Sequence, residues 1–237
     1  MIIGGMLLDL LYVGLFAVAF PLWDHLVSWP ALRRRLEVDP VGARKQLWRT
    51  ASVFPWLVAA AGAALWVSRD RTWTSIGLSL PEGWRLWTAV VLLALIAAYY
   101  VYAVATAARS EEAQASIRGN KTLAPLMPHT RSELYQWGGV SLTAGVCEEF
   151  LYRGFFIGVF APWLGWWGAA ALSLACFAGG HAYQGWKGVL QTGIAGAVYT
   201  LLVAAFDSLW PAIVLHAGMD LAAGVVAWLA LRETQSG

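Results

Sequence analysis

The sequence predicts an all-α, polytopic transmembrane helical bundle with about seven or eight spans, organised as one membrane domain over residues 1–237. Of the 237 residues, 59% are hydrophobic and 13% are charged. Soluble domains carry about 25% charged residues, so this deficit indicates an integral membrane protein. The long Leu, Ala, Val and Gly runs lack the alternation of barrel strands, which favours helices. A net charge of +2 gives no indication of a nucleic-acid partner.

Apolar segments near the length that a bilayer requires, about 20 residues, follow one another along the chain. The seven predicted spans are Ile2–Trp29, Ala51–Val67, Trp84–Ala107, Trp137–Phe160, Trp163–Gly180, Gly188–Phe206 and Leu209–Leu231. The stretch at 30–49 is predicted to be a polar loop. The longer polar stretch at 108–136 lies along the membrane surface or contributes an eighth span. The last four spans, residues 137–231, are expected to form the motif-bearing core.

The distribution of Lys and Arg predicts the orientation in the membrane. If the N-terminus lies outside, twelve of the 16 basic residues fall on the inner side, three on the outer side, and Arg153 lies within a span. Cytoplasmic loops carry an excess of Lys and Arg, so the C-terminus is expected in the cytoplasm. Most of the 15 tryptophans fall near span ends, as an interfacial belt requires. A bacterial or archaeal cell membrane is the expected location.

One stretch, Val146–Phe156, places three ionisable side chains inside an apolar span. A charge at the centre of a bilayer costs about 2.5–3.5 kcal/mol on insertion scales, so buried charges must pair or serve a function. Glu149 and Arg153 are four residues apart and share a helix face, where they can neutralise each other. Glu148 points about 100° away from them. It therefore needs a partner from another span.

Two histidines in later spans are the candidate partners of Glu148. His181 ends the sequence Phe-Ala-Gly-Gly-His, and His216 shares a helix face with Asp220 four residues later. These residue types suit two mechanisms, which the sequence leaves open. A carboxylate and a histidine polarise a water molecule while the other pair stabilises the oxyanion. Alternatively, Glu148, His181 and His216 bind Zn²⁺ and activate a coordinated water.

These three motifs, Glu-Glu-x-x-x-Arg, Phe-x-x-x-His and His-x-x-x-Asp, each lie on a separate apolar span. In this order they resemble the CPBP intramembrane proteases, which include type II CAAX prenyl endopeptidases and bacterial Abi or bacteriocin-processing proteins. The resemblance extends from Glu148 to Asp220. It implies that Glu148 activates the water and that Glu149 and Arg153 support it.

The resemblance also assigns roles to the two histidine motifs. His181 would hold the water, while His216 and residue 220 would face the oxyanion. The family commonly has Asn where this chain has Asp220. An ionised Asp cannot donate a hydrogen bond, so Asp220 must be protonated or act as a metal ligand.

Two classes of function remain from the sequence. The first is an intramembrane endopeptidase that cuts a membrane-tethered substrate, for example a prenylated CAAX-type peptide. The second is a non-catalytic membrane protein, such as a transporter, a bacteriocin immunity protein or a scaffold, whose buried charges are structural or form a proton path. A protease needs Glu148, His181 and His216 around one water-sized space, whereas a proton path strings them across the bilayer. The oligomeric state is not indicated.

Overall fold

The structure, a computed structural model, describes residues 2–232, and for residues 2–5 it describes the backbone alone. Every regular element in this range is helical and none is a strand, which confirms the predicted all-α class. Met1 and residues 233–237, the chain ends to which the orientation prediction refers, lie outside the described residues.

Residues 2–232 form ten α-helices. They are α1 (Ile2–Gly14), α2 (Phe20–Trp23), α3 (Trp29–Val38), α4 (Pro40–Val67), α5 (Trp84–Ala107), α6 (Glu111–Gly119), α7 (Arg131–Glu148), α8 (Ile157–Gly180), α9 (Gly185–Phe206) and α10 (Trp210–Leu231). Three π-helical segments, Leu15–Ala19, Asp24–Ser28 and Glu149–Phe156, join α1 to α2, α2 to α3 and α7 to α8. Each of these junctions continues one helix into the next without a loop.

Six helical stretches in the described range are long and apolar enough to cross a membrane. One of them, Arg131–Gly180, has 50 residues and contains two of the predicted spans. Within it Gly165 has φ 67°, a left-handed conformation that glycine adopts without strain. The hydroxyl of Ser173, which follows Gly165, donates to the carbonyl of Tyr152, which precedes it, at 2.7 Å. In a straight helix these residues would lie about 30 Å apart, so the chain reverses at Gly165.

The predicted polar loop at 30–49 is wrong, because this stretch is helical on both sides of Asp39. The Asp39 side chain accepts a hydrogen bond from the Gly42 backbone N–H at 2.9 Å and caps α4. Pro40 occupies the first turn of α4, where its missing N–H leaves no helical bond unmade. The second span therefore begins at Pro40 rather than at Ala51.

The polar stretch at 108–136 contains α6 and a short 3₁₀ turn at Ala124–Leu126. Neither is long enough to cross a membrane, so within the described residues this stretch adds no eighth span. The Arg118 guanidinium donates to the Ala230 carbonyl at 3.2 Å, which places α6 beside the carboxyl end of α10.

A buried ion pair joins the amino ends of α4 and α7. Arg44 Nη2 lies 2.8 Å from Glu133 Oε1, and both side chains are almost fully buried. Glu133 also accepts the His129 backbone N–H at 2.8 Å and completes a capping box with Thr130. The predicted position of Arg44 in a polar loop is wrong, because Arg44 lies in α4 and is buried. The charge and hydrogen bonds of Glu133 compensate for removing the guanidinium from water. Thr-x-x-Glu was the sequence signal for this capping box.

The opposite end of the bundle is formed by the loop at 68–83 and the start of α10. The Leu209 backbone N–H donates to the Gly77 carbonyl at 2.7 Å, and the Ser208 hydroxyl donates to the Ser79 carbonyl at 2.7 Å. The strongly basic stretches at 33–49 and 109–131 therefore share the other end. The two ends of the bundle carry unequal positive charge, as the span order predicts.

Close packing of α7 against α10 fixes the side chains of the first and third motifs relative to one another. A Cβ at Gly145 would lie 2.8 Å from the Ala217 Cβ and 3.0 Å from the Ile213 carbonyl oxygen, so only glycine fits there. Nearer the amino end of α7, the Trp137 indole N–H donates to the Asp220 carbonyl at 2.8 Å. Small residues at helix contacts allow backbones to approach in this way. The approach brings the first two turns of α10 beside the end of α7.

We predict that the basic end of the bundle faces the cytoplasm. In a Cys147→Ala/Cys176→Ala background, Val41→Cys and Leu80→Cys place one exposed thiol at each end. A membrane-impermeant maleimide should label Leu80→Cys in intact cells and Val41→Cys only after permeabilisation, because positive charge is retained on the cytoplasmic side. Labelling of Val41→Cys in intact cells would contradict this orientation.

Candidate active site

The first motif lies where α7 passes into the π-helical segment Glu149–Phe156. All eight residues of this segment are buried. π-helical turns are rare and occur frequently at functional sites, because the wider turn changes the direction of side chains. Here the change falls between Glu148, the last residue of α7, and Glu149. The two adjacent carboxylates consequently have different surroundings.

The predicted ion pair between Glu149 and Arg153 is confirmed. Arg153 Nη1 donates to Glu149 Oε1 at 3.0 Å, and both side chains are buried. The guanidinium also donates through Nη2 to the Gly196 carbonyl at 3.0 Å and lies 4.2 Å from the centre of the Phe177 ring. The arginine thereby links the π-helical segment to α8 and α9. Its charge is balanced by one carboxylate, one carbonyl and one aromatic face.

Glu149 has a second partner that the sequence analysis missed. Its Oε1 lies 2.8 Å from His216 Nδ1. A carboxylate bonded to Arg153 is an acceptor, so His216 carries its proton on Nδ1 and donates it. The Tyr199 ring stacks on one face of the His216 ring, with centroids 4.7 Å apart and planes 16° from parallel. Glu149 thus fixes the tautomer and orientation of His216, and leaves Nε2 for other contacts.

Two more carboxylates lie around His216 Nε2. Glu148 Oε2 is 3.9 Å and Asp220 Oδ2 is 3.6 Å from this nitrogen. Both distances exceed those of a direct hydrogen bond, so Nε2 remains open to a water molecule or a reacting group. The Glu148 and Asp220 side chains are 28% and 30% exposed, whereas His216 is buried. The cluster of Glu148, Glu149, His216 and Asp220 is therefore partly exposed along the edge that Glu148 and Asp220 form.

His181 directly follows α8, and the Phe177 ring lies between it and His216. His181 Nδ1 lies 2.8 Å from the Phe177 carbonyl oxygen. Since that oxygen only accepts, Nδ1 carries the proton and Nε2 is available for a water or a ligand. The Phe177 ring centre is 5.0 Å from the His181 ring and 6.2 Å from the His216 ring. The structure therefore brings both predicted histidines to one aromatic side chain.

Aromatic residues continue outward from His181. The Tyr183 ring centre lies 6.1 Å from the His181 ring, and Trp29 lies 5.2 Å from Tyr183. Trp29 is one of the tryptophans near a predicted span end, and the sequence indicated no role for Tyr183. Both rings are partly buried, so they form a half-exposed apolar wall between the cluster and the start of α3.

A metal site was one of the two sequence-based possibilities, with Glu148, His181 and His216 as ligands. Within residues 2–232, no three His, Cys, Asp or Glu side chains are arranged to hold a metal ion. His216 binds Glu149 through Nδ1, and a zinc-ligating histidine commonly binds a carboxylate through the ring nitrogen that does not face the metal. The tautomer of His216 is therefore compatible with either possibility, although the described side chains do not stand at zinc-ligand distances from one point.

A cavity of about 440 Å³ reaches Arg153 from the end of the bundle that carries the loop at 68–83. Its walls include Gly154, Trp166 and Asp207, and neither Glu148 nor the two histidines line it. The ion pair therefore separates this cavity from the accessible edge of the cluster.

Comparison with known families supports the resemblance found in the motifs. Residues 130–222 match the family model described as type II CAAX prenyl endopeptidase Rce1-like, and this confirms the predicted family resemblance. The matched stretch is less than half of the chain but contains all six predicted site residues. No curated protein and no solved structure significantly matches the chain. The family match implies a peptide hydrolase of the CAAX-protease type in an integral membrane protein.

We predict that Arg153→Ala destabilises the protein by about 3–5 kcal/mol, because it leaves the Glu149 carboxylate buried with its main charge partner removed. The double variant Glu149→Gln/Arg153→Met, which removes both charges, should be more stable than Arg153→Ala. Thermal unfolding in detergent measures the difference.

Arg85→Ala is the matched control for this experiment, because Arg85 forms an exposed ion pair with Asp207 at 3.8 Å. Such surface pairs contribute about 0–1 kcal/mol. Equal stability of Arg153→Ala, Arg85→Ala and the double variant would show that the central pair does not stabilise the fold.

Proposed function

We propose that the chain is an intramembrane endopeptidase that hydrolyses a peptide bond of a membrane-tethered substrate, such as a prenylated CAAX-type peptide. The observation that carries the proposal is the convergence of Glu148, Asp220 and Glu149 on the two nitrogens of His216. The alternative, a proton path, requires charges strung along the membrane normal. The grouping of these side chains around one imidazole ring supports hydrolysis instead.

Glu148 is the proposed general base. Its carboxylate is partly exposed, and no cation lies on its own helix face to hold it in an ion pair. In the proposed step Glu148 takes a proton from water as the water oxygen attacks the peptide carbonyl carbon. The protonated Glu148 then gives this proton to the leaving amine nitrogen as the C–N bond breaks.

His216 and Asp220 are the proposed stabilisers of the oxyanion. Glu149 holds the His216 ring through Nδ1, in the way that a buried carboxylate orients a catalytic histidine and stabilises its imidazolium form. The imidazolium donates from Nε2 to the developing negative charge. Asp220 adds a second donor when protonated. In this scheme Glu149 is a positioning residue for His216 rather than a direct support of Glu148.

His181 is the proposed holder of the attacking water. With Nδ1 bonded to the Phe177 carbonyl, its Nε2 can accept a hydrogen bond from water without rotation of the ring. Tyr183 and Trp29 provide an adjacent apolar wall for the substrate. We further infer one membrane domain over residues 1–237, a catalytic core at 137–231, and an outside N-terminus in a bacterial or archaeal membrane.

We expect Glu148→Gln to lower kcat for a farnesylated fluorogenic peptide by about 10²–10⁴-fold, the contribution of a general base. The substitution keeps the size of the side chain but removes its ability to accept a proton. His181→Ala and His216→Ala should also reduce cleavage, and the losses should overlap in double variants if the residues act as one unit.

Glu112→Gln, at an exposed position on α6, is the control and should cleave normally. The unfolding temperature of each variant separates lost chemistry from lost folding. Cleavage by Glu148→Gln at the unsubstituted rate would end the proposed mechanism.

We expect cleavage to continue after treatment with a zinc chelator, because the proposed steps use only side chains of the chain itself. Metal analysis of the purified, active protein should give well below one Zn²⁺ per chain. About one Zn²⁺ per chain, with chelator inhibition that added zinc reverses, would instead establish Glu148, His181 and His216 as ligands of a catalytic metal.

A further inference from the structure

A second cavity of about 440 Å³ lies between α4 and α7, near their amino ends and apart from the candidate active site. Lys45, Arg49 and Gln136 line its polar part, and Trp48, Val53 and Gly139 line its apolar part. None of these residues belongs to the three motifs. The cavity is a groove in the membrane-facing surface at the basic end of the bundle.

The two cations of this groove have no partner in the described part of the chain. Lys45 and Arg49 are one helical turn apart on α4, both are exposed, and neither forms an ion pair or hydrogen bond with residues 2–232. The adjacent Arg44 differs, because Glu133 neutralises it. No described carboxylate lines the groove. Two unpaired cations on one face therefore attract an anion.

The remainder of the groove is apolar. Trp48 is buried and its indole N–H already donates to the Leu126 carbonyl at 3.2 Å, so the ring presents carbon atoms. A Cβ placed on Gly139 would meet nothing within 4 Å, which shows open space beside α7. Val53, two turns from Lys45, exposes its side chain toward the membrane. A ligand with an anionic head and an apolar chain matches a groove that is basic at one end and apolar at the other.

We propose that the groove binds an anionic phospholipid, such as phosphatidylglycerol, from the leaflet that faces the basic end of the bundle. The lipid phosphate lies between Lys45 and Arg49, and the Gln136 amide donates to it. An acyl chain follows the surface of Val53 and Gly139. Basic residues at the membrane surface attract anionic lipids in this way. The bound lipid would bridge α4 and α7 beside the Arg44–Glu133 pair.

The test is native mass spectrometry of the purified full chain with added phosphatidylglycerol or phosphatidylcholine. The unsubstituted protein should retain phosphatidylglycerol preferentially. Lys45→Gln/Arg49→Gln should weaken its retention by about fivefold for each charge removed. The matched control is Arg33→Gln/Arg34→Gln, which removes two exposed charges of α3 that do not line the groove and should change little.

Gly139→Leu separates groove binding from general surface charge. It keeps both cations but fills the space beside α7, so we expect phosphatidylglycerol retention to fall about tenfold. Leu is also a better helix former than Gly, so the variant should fold. Inorganic phosphate added in millimolar excess should not displace the lipid if the acyl chain contributes.

Several results would overturn the proposal. Equal loss in the two charge-deleted double variants would assign binding to the overall surface potential. Equal retention of phosphatidylcholine, or no effect of Gly139→Leu, would exclude a headgroup-selective groove. Unchanged lipid retention with reduced peptide cleavage in Lys45→Gln/Arg49→Gln would make the groove a substrate subsite. The lipid-retention readouts do not depend on the proposed endopeptidase activity.

Discussion

The structure depends on one carboxylate buried in the middle of an apolar bundle. Glu149 Oε1 accepts hydrogen bonds from both Arg153 and His216, so one oxygen connects the π-helical segment to α10. Arg153 extends the connection to α9 through the Gly196 carbonyl. An isolated charge in this environment would cost several kcal/mol, about 3–5 when one partner of a buried pair is removed. Because the three groups satisfy one another, each holds the other two in a fixed orientation.

This arrangement separates the two adjacent glutamates by function. Glu149 is buried and fully committed to structure and to the orientation of His216, whereas Glu148 is partly exposed at the edge of the cluster. Neighbouring carboxylates with different surroundings can have different roles. The second Glu149 oxygen, Oε2, is buried without a hydrogen-bond partner in the described range.

The sequence predicted the parts of the structure that follow local periodicity. The third span, Trp84–Ala107, has the predicted bounds, and the pairing of Glu149 with Arg153 follows from their spacing on one face. Contacts between distant segments were not predictable. Nothing in local spacing indicates that His216 reaches Glu149, or that Arg44, in a basic stretch, is buried against Glu133. Such contacts depend on which helices pack together.

Helix junctions without a loop were predicted unevenly. The polarity of residues 30–49 suggested an interruption, yet one capping residue, Asp39, is sufficient to separate α3 from α4. The predicted break between the spans Trp137–Phe160 and Trp163–Gly180 lies within a few residues of Gly165, where the chain reverses. Hydropathy reports how much of a segment is apolar, whereas these junctions are decided by the backbone conformation of one residue.

The reversal at Gly165 has a consequence for the lipid around the protein. The helix from Gly165 to His181 rises about 24 Å at 1.5 Å per residue, which is shorter than a hydrocarbon core of about 30 Å. With Gly165 at one boundary of the hydrocarbon core, the turn at Ala182–Gln184 would lie within the depth of the acyl chains, where unpaired backbone groups are costly. Local thinning of the bilayer would relieve this mismatch and would couple acyl-chain length to hydration of the site. The thickness of the host membrane would then be a physical variable that acts on His181 and its neighbours.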